Sequence, residues 1–118
     1  MAKIIAVDDS LADLKLIEQS LSQFHQVVLY QGSKNVEERI EAEKPDAVLL
    51  DVVMPGRNGY EVLRSLRRSE ATKHIPVLVI SSKGEPTDIE WGKRQGANGY
   101  LTKPFTPEAL RQAVQELL

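Results

Sequence analysis

Acidic, hydroxyl and ammonium side chains recur at one kind of position in this chain, just after a short apolar run. Asp8 and Asp9 follow Ile4 to Val7, Asp51 follows Ala47 to Leu50, Ser81 and Ser82 follow Val77 to Ile80, and Lys103 comes soon after Tyr100-Leu101. Continuous apolar runs of that length suit strands buried on both faces, as in a parallel sheet. Ligands of such a sheet bind at the carboxyl ends of its strands, so these residues fall on one edge. Singly, each has an ordinary explanation. Asp9 or Ser10 could cap a helix, Asp51 could open a turn, the serines are common loop residues, and Lys103 could be a solvated amine. Together they bring three carboxylates, two hydroxyls and a cation to one place.

Magnitudes say what that place needs. Three carboxylates about 5 Å apart, at an effective dielectric near 20, repel by roughly 3 kcal/mol per pair. Three such pairs rival the whole net stability of a small domain, on the order of 5 to 15 kcal/mol. The cluster persists only if it is partly protonated or neutralised by cations. Lys103 supplies one positive charge, and a hard divalent ion with oxygen ligands and retained waters, Mg²⁺ above all, would supply two more.

The elements that must position these groups alternate along the chain. Apolar runs at Ile4 to Val7, Val27 to Tyr30, Ala47 to Leu50, Val77 to Ile80 and Tyr100-Leu101 predict five buried strands. Leu11, Leu14, Ile17, Leu21 and Phe24 recur at helical spacing and predict one buried helix face. Val36 and Ile40 mark a second helix, and Val62, Leu63 and Leu66 a third. Thr87 to Gln95 is the least marked helical segment, because Gly92 sits inside it. Leu110, Ala113, Val114 and Leu117 give a last helix, opened by Pro107. Turn residues fall between these segments, at Gly32-Ser33, Pro55-Gly56, Asn58-Gly59, Gly84 with Pro86, and Gly96 to Gly99. Alternation with short connections implies right-handed crossovers and a doubly wound α/β sandwich.

Composition removes several function classes. The chain has 118 residues, a hydrophobic fraction of 42% and a charged fraction of 27%, which suits one globular domain. Net charge is -2 with no basic stripe, so direct nucleic-acid binding is not expected. No apolar run approaches membrane-spanning length, and Asp8-Asp9 interrupts the N-terminal one. There is no cysteine, hence no disulfide or thiolate metal site. A cytoplasmic setting with no membrane association is the expectation.

Four segments in register resemble the receiver domains of two-component response regulators. They are Val7-Asp8-Asp9-Ser10, Leu50 to Gly56 with Gly59, Ile80-Ser81-Ser82, and Tyr100-Leu101-Thr102-Lys103-Pro104-Phe105. The resemblance runs from about residue 3 to the C-terminus and implies one receiver domain over 1–118 with no output domain. It also implies a flavodoxin-like (βα)5 fold, a parallel five-stranded sheet of order 2-1-3-4-5. It implies Asp51 as phosphoacceptor, Asp9 as direct metal ligand, Asp8 as its partner largely through water, and Val53 contributing its backbone carbonyl. Ser81, where the family more often has Thr, would bond a phosphoryl oxygen, as would Lys103. The Lys103-Pro104 bond would be cis. Tyr100 matches an aromatic position that turns inward on activation; without the resemblance it reads as a strand-end tyrosine half buried against the last helix. Val53 and Lys83 would flank the path of the hydrolytic water.

The implied protein is a phosphoacceptor rather than an enzyme with a separate substrate. It would take its phosphoryl group from a sensor histidine kinase, use Mg²⁺ or Mn²⁺, and signal through protein contacts on the face of the fourth helix, fifth strand and fifth helix, as a monomer or weak dimer. Trp91-Gly92-Lys93-Arg94-Gln95-Gly96-Ala97 is similar, more narrowly, to stand-alone regulators of pilus-driven twitching or phototaxis. A dinucleotide-binding enzyme would want a glycine-rich turn where Asp8-Asp9-Ser10-Leu11 stands. A haloacid-dehalogenase-like phosphatase would want a second acid where Val53 stands. A receiver-like scaffold that is never phosphorylated would not need the acid, hydroxyl and lysine positions, all of which are filled.

Overall fold

In a computed structural model describing residues 1–118, strands and helices alternate throughout. The order is β1 (Lys3–Asp8), α1 (Leu11–Leu21), β2 (Gln26–Gln31), α2 (Val36–Glu43), β3 (Ala47–Asp51), α3 (Gly59–Arg68), β4 (Val77–Ser81), α4 (Pro86–Arg94), β5 (Gly99–Thr102) and α5 (Pro107–Leu117). All strand pairs are parallel, and the sheet runs β2-β1-β3-β4-β5. No helix is long and apolar enough to cross a membrane.

The central strands explain why their sequences are apolar at every position. Side chains alternate between faces, and each face meets a different helical layer. Ile4, Ala6, Leu49, Leu78 and Ile80 pack with Leu14, Ile17 and Leu21 of α1 and Leu110 and Val114 of α5. Ile5, Val7, Val48, Leu50, Val77 and Val79 pack with Val36 and Ile40 of α2 and Val62, Leu63 and Leu66 of α3. Two dry layers thus clamp β1, β3 and β4, and their polar ends emerge at one edge.

Three sequence expectations need correction. Phe24 does not extend the buried face of α1, since it is 49% exposed. The helix stops at Leu21, and the amides of Phe24 and His25 both turn back onto the Leu21 carbonyl, which swings the chain towards β2. Val27 to Tyr30 and Tyr100-Leu101 are not buried on both faces but partly exposed, because β2 and β5 are the edge strands, each with one neighbour. The fourth helix begins at Pro86 and is well started: Pro86 occupies its first turn and the Glu85 amide donates to the Asp88 carboxylate at 3.1 Å. Gly92 is buried there for a packing reason, since an added Cβ would lie 2.9 Å from Cδ2 of the Tyr100 ring.

Gly59 has a similar but stricter reason. It opens α3 under the loop that follows Asp51, its amide donates to the Val52 carbonyl at 3.0 Å, and a Cβ there would lie 2.5 Å from the Asp51 carbonyl oxygen. This obstacle and the neighbouring Val52 Cα are both backbone, which cannot rotate away. Gly59→Ala should therefore lower unfolding free energy in urea by roughly 1–3 kcal/mol. A loss below about 0.5 kcal/mol, the level of an ordinary surface change, would contradict this close approach.

Candidate functional site

Register brings the first two acids together. Val7 of β1 pairs with Leu50 of β3, so Asp8 and Asp51 end adjacent strands side by side. Both are buried, at 1% and 4% exposure, while Asp9, one residue past β1, is more open. One carboxylate oxygen from each of Asp8, Asp9 and Asp51 lies within 4.8 Å of the others. Amides two residues ahead orient the buried pair: Ser10 N–H donates to Asp8 Oδ1 at 2.9 Å, and Val53 N–H to Asp51 Oδ1 at 3.0 Å. Ser10 also caps α1, its Oγ accepting the Asp13 amide at 3.2 Å. Asp9 is therefore free of capping duty.

Lys103 reaches into this cluster from just beyond β5. Its Nζ donates to Asp8 Oδ2 and to Asp13 Oδ2, both at 2.8 Å, and lies 3.7 Å from Asp51 Oδ2. The following Lys103-Pro104 bond is cis. Sequence reasoning missed Asp13. An acid in the first turn of a helix is ordinarily explained by the helix dipole, which concealed it. The available signal was that a cap at Ser10 aims that first turn at the strand ends.

Electrostatics follow from crowding. Burial pushes the Asp51 carboxyl up to about 7; the Val53 amide opposes the rise, the Asp8 charge adds to it and Lys103 opposes it. Burial would lower the Lys103 ammonium, but hydrogen bonds to Asp13 and Asp8, with the charges of Asp51 and Asp8, outweigh it and hold Lys103 above its ordinary value. One lysine thus faces more negative charge than it can neutralise. An all-oxygen donor set with surplus negative charge and one open side fits a hard divalent cation such as Mg²⁺ or Mn²⁺.

The other flank of Asp51 holds the hydroxyl and the aromatic ring. Asp51 pairs with Ile80, so Ser81 ends β4 next to it, fully buried, whereas Ser82 is exposed. Ser81 Oγ accepts the Lys83 amide at 3.1 Å, and the Lys83 carbonyl accepts the Tyr100 hydroxyl at 2.6 Å. The Lys83 backbone is thus a two-bond link between Ser81 and Tyr100. Tyr100 packs beside Tyr60 and Gly92, with the α2/α3 layer, and not against α5 as its position in the sequence suggested. The Val53 side chain is half exposed and Lys83 exposed; with Tyr60, Trp91 and Tyr100 they line a groove of about 640 Å³ beside the carboxylates.

Comparison with known proteins defines the class. The response regulator receiver domain profile matches residues 4–115, and the chain belongs to that family. It is 40% identical to Protein PilH of Pseudomonas aeruginosa, over 100% of this chain and 98% of that one. It is 29% identical to the chemotaxis protein CheY1 of Helicobacter pylori, over 98% and 96% of the two chains. The structure of the chemotaxis response regulator CheY4 of Vibrio cholerae superposes with a TM-score of 0.93 at 30% identity, covering 100% and 99%.

The raised Asp51 carboxyl predicts a pH dependence in the absence of metal. The native state keeps this proton up to about 7, whereas the unfolded chain gives it up near the ordinary 3.8. Between those values the native state binds more protons, so stability falls as pH rises and the cost is fully present above about 7. Its size is on the order of 2–4 kcal/mol. Urea unfolding with chelator, from about pH 5 to about pH 8, should show this decline in the parent and much less of it in Asp51→Asn. Equal slopes in the two proteins would refute the assignment.

Proposed function

We propose that this protein is a phosphorylation-dependent switch of a two-component system, taking a phosphoryl group from a sensor histidine kinase onto Asp51. The observation that carries this reading is the Asp8, Asp9 and Asp51 cluster with Lys103 against it. In the proposed step an Asp51 carboxylate oxygen attacks phosphorus, an acyl phosphate forms, and the bond to the donor breaks with its electron pair leaving on the donor atom. Asp8, Asp9, Asp51 and the Val53 backbone carbonyl would hold Mg²⁺ or Mn²⁺, which when bound supplies positive charge for the transferring oxygens. Lys103 would neutralise one phosphoryl oxygen. Ser81 Oγ spends a lone pair on the Lys83 amide, so its own proton remains available to another phosphoryl oxygen. The chain acts on itself, as a signalling phosphoacceptor.

The likeness of Trp91 to Ala97 to regulators of pilus-driven twitching, with similarity to PilH along nearly the full length of both chains, supports a role in that motility, in the cytoplasm. Output would pass to a protein target on the α4/β5/α5 face. The Ser81–Lys83–Tyr100 link supports this, because a phosphoryl group drawing on Ser81 disturbs the peptide that holds Tyr100 against α4. Val53 and Lys83, at the mouth of the groove, would set how readily water reaches the acyl phosphate.

Acetyl phosphate with Mg²⁺ should raise the intact mass by one phosphoryl group, and neither Asp51→Asn nor chelated protein should respond. Undiminished incorporation in Asp51→Asn would end this reading. Val53 cannot hydrogen-bond a water, so the phosphorylated form should decay faster in Val53→Asn; unchanged or slower decay refutes that role.

The output face is tested separately. Beryllofluoride with Mg²⁺ should alter amide exchange chiefly between Ser81 and Phe105, together with Trp91 emission, and Ser81→Ala should blunt both. Changes confined to α2 and α3 would place the output elsewhere.

A further inference from the structure

Lys103 has a partner that the phosphoryl chemistry does not use. Its ammonium carries three donor protons. Asp8 and Asp13 take two at 2.8 Å, while the Asp51 oxygen at 3.7 Å lies beyond hydrogen-bonding distance. The Asp13 carboxylate has Lys103 as its hydrogen-bond partner, and its side chain is partly open to solvent, at 33% exposure. Its backbone role is separate, since the Asp13 amide caps onto Ser10 Oγ whatever the side chain carries. Leu14, Ile17 and Leu21, buried in the core, hold α1 in place independently of this carboxylate.

We propose that Asp13 is a positioning residue, a tether that holds Lys103 on the α1 side of the cluster and limits how readily Asp51 accepts a phosphoryl group. The proposal rests on the reading of Asp51 as phosphoacceptor. Two physical effects set its direction. Nζ stands 3.7 Å from the Asp51 carboxylate oxygen, so any shift of the ammonium towards the reacting carboxylate stretches the 2.8 Å contact to Asp13. At the same time the Asp13 charge offsets, at contact distance, the positive charge that an anionic phosphoryl donor would meet. Neutralising Asp13 removes its charge and weakens the hydrogen bond that holds the ammonium, while Asp8 still anchors the lysine. Partial exposure screens the effect, so the gain is modest, roughly threefold to tenfold.

The test compares the parent with Asp13→Asn and Asp13→Glu at saturating Mg²⁺ and limiting acetyl phosphate, reading initial incorporation by intact mass. Asp13→Asn should phosphorylate roughly threefold to tenfold faster than the parent, and the gain should shrink as salt is raised. Asp13→Glu, which restores the charge, should return to the parent rate; a merely structural role for Asp13 would not produce that rescue. Equal or slower incorporation in Asp13→Asn, a gain indifferent to salt, or Asp13→Glu as fast as Asp13→Asn would each overturn the tether. No incorporation in the parent would instead overturn the phosphoacceptor reading, so the two failures are distinguishable.

Discussion

Repulsion among carboxylates held at the ends of β1 and β3 is the constraint that the rest of the site answers. Parallel register leaves Asp8 and Asp51 no choice but to be neighbours, and burial denies them the water that would screen them. The molecule responds in three ways at once. Each buried carboxylate accepts an amide from the residue two ahead, Asp51 keeps its proton to higher pH, and Lys103 is drawn in from the far side of the sheet. None of these removes the excess negative charge. A site left so far from neutrality is suited to a cation, with no need for a dedicated metal-binding loop.

Rigidity elsewhere is what lets this strained edge persist. The strands that carry Asp8, Asp51 and Ser81 are buried along almost their whole length between two apolar layers. A like-charge pair on a loop would relax by moving apart; here separation would drag a core strand out of register, and a one-residue slip would turn its apolar faces inside out. Gly59 adds to this by allowing α3 to start against the Asp51 carbonyl. Lys103 is fixed differently, its amide donating to the Ser81 carbonyl at 2.8 Å, so the backbone of the lysine is tied to the hydroxyl residue on the opposite flank of Asp51.

Much of this was legible in the sequence because parallel strands buried on both faces leave an unusually plain record. Runs such as Val48-Leu49-Leu50 cannot be amphipathic, and the polar residue ending each run marks the edge where ligands bind. What failed to show was whatever depended on geometry between elements. Phe24 kept helical period with Leu21 although the chain had already turned away, since spacing alone does not register a helix end without a glycine or proline. Val27 to Tyr30 looked as buried as the central runs because edge position is a property of the sheet. Tyr100 could have leaned towards either layer, and the missing Cβ of Gly92, 92 residues into the chain and read as a helix weakness, was the clue to which. Asp13 was invisible for a different reason: its local explanation was sufficient, and a sufficient local explanation hides a long-range one.

The two flanks of Asp51 differ in the kind of force they can feel, and this assigns them different parts in the proposed switch. On the α1 side the interactions are between full charges, Lys103 with Asp8, Asp13 and Asp51, which act at a distance and respond to a phosphoryl donor before any bond forms. On the α4 side they are hydrogen bonds between neutral groups, Ser81 to the Lys83 amide and the Lys83 carbonyl to Tyr100, which act only at contact. Charge can therefore govern entry of the phosphoryl group, whereas only the finished acyl phosphate, with an oxygen in reach of Ser81, can pull on the hydroxyl. A switch divided in this way separates how easily it is set from what it does once set. Changes on α1 would then alter the rate of phosphorylation with little effect on the shape of the output face, and changes along Ser81, Lys83 and Tyr100 would do the reverse.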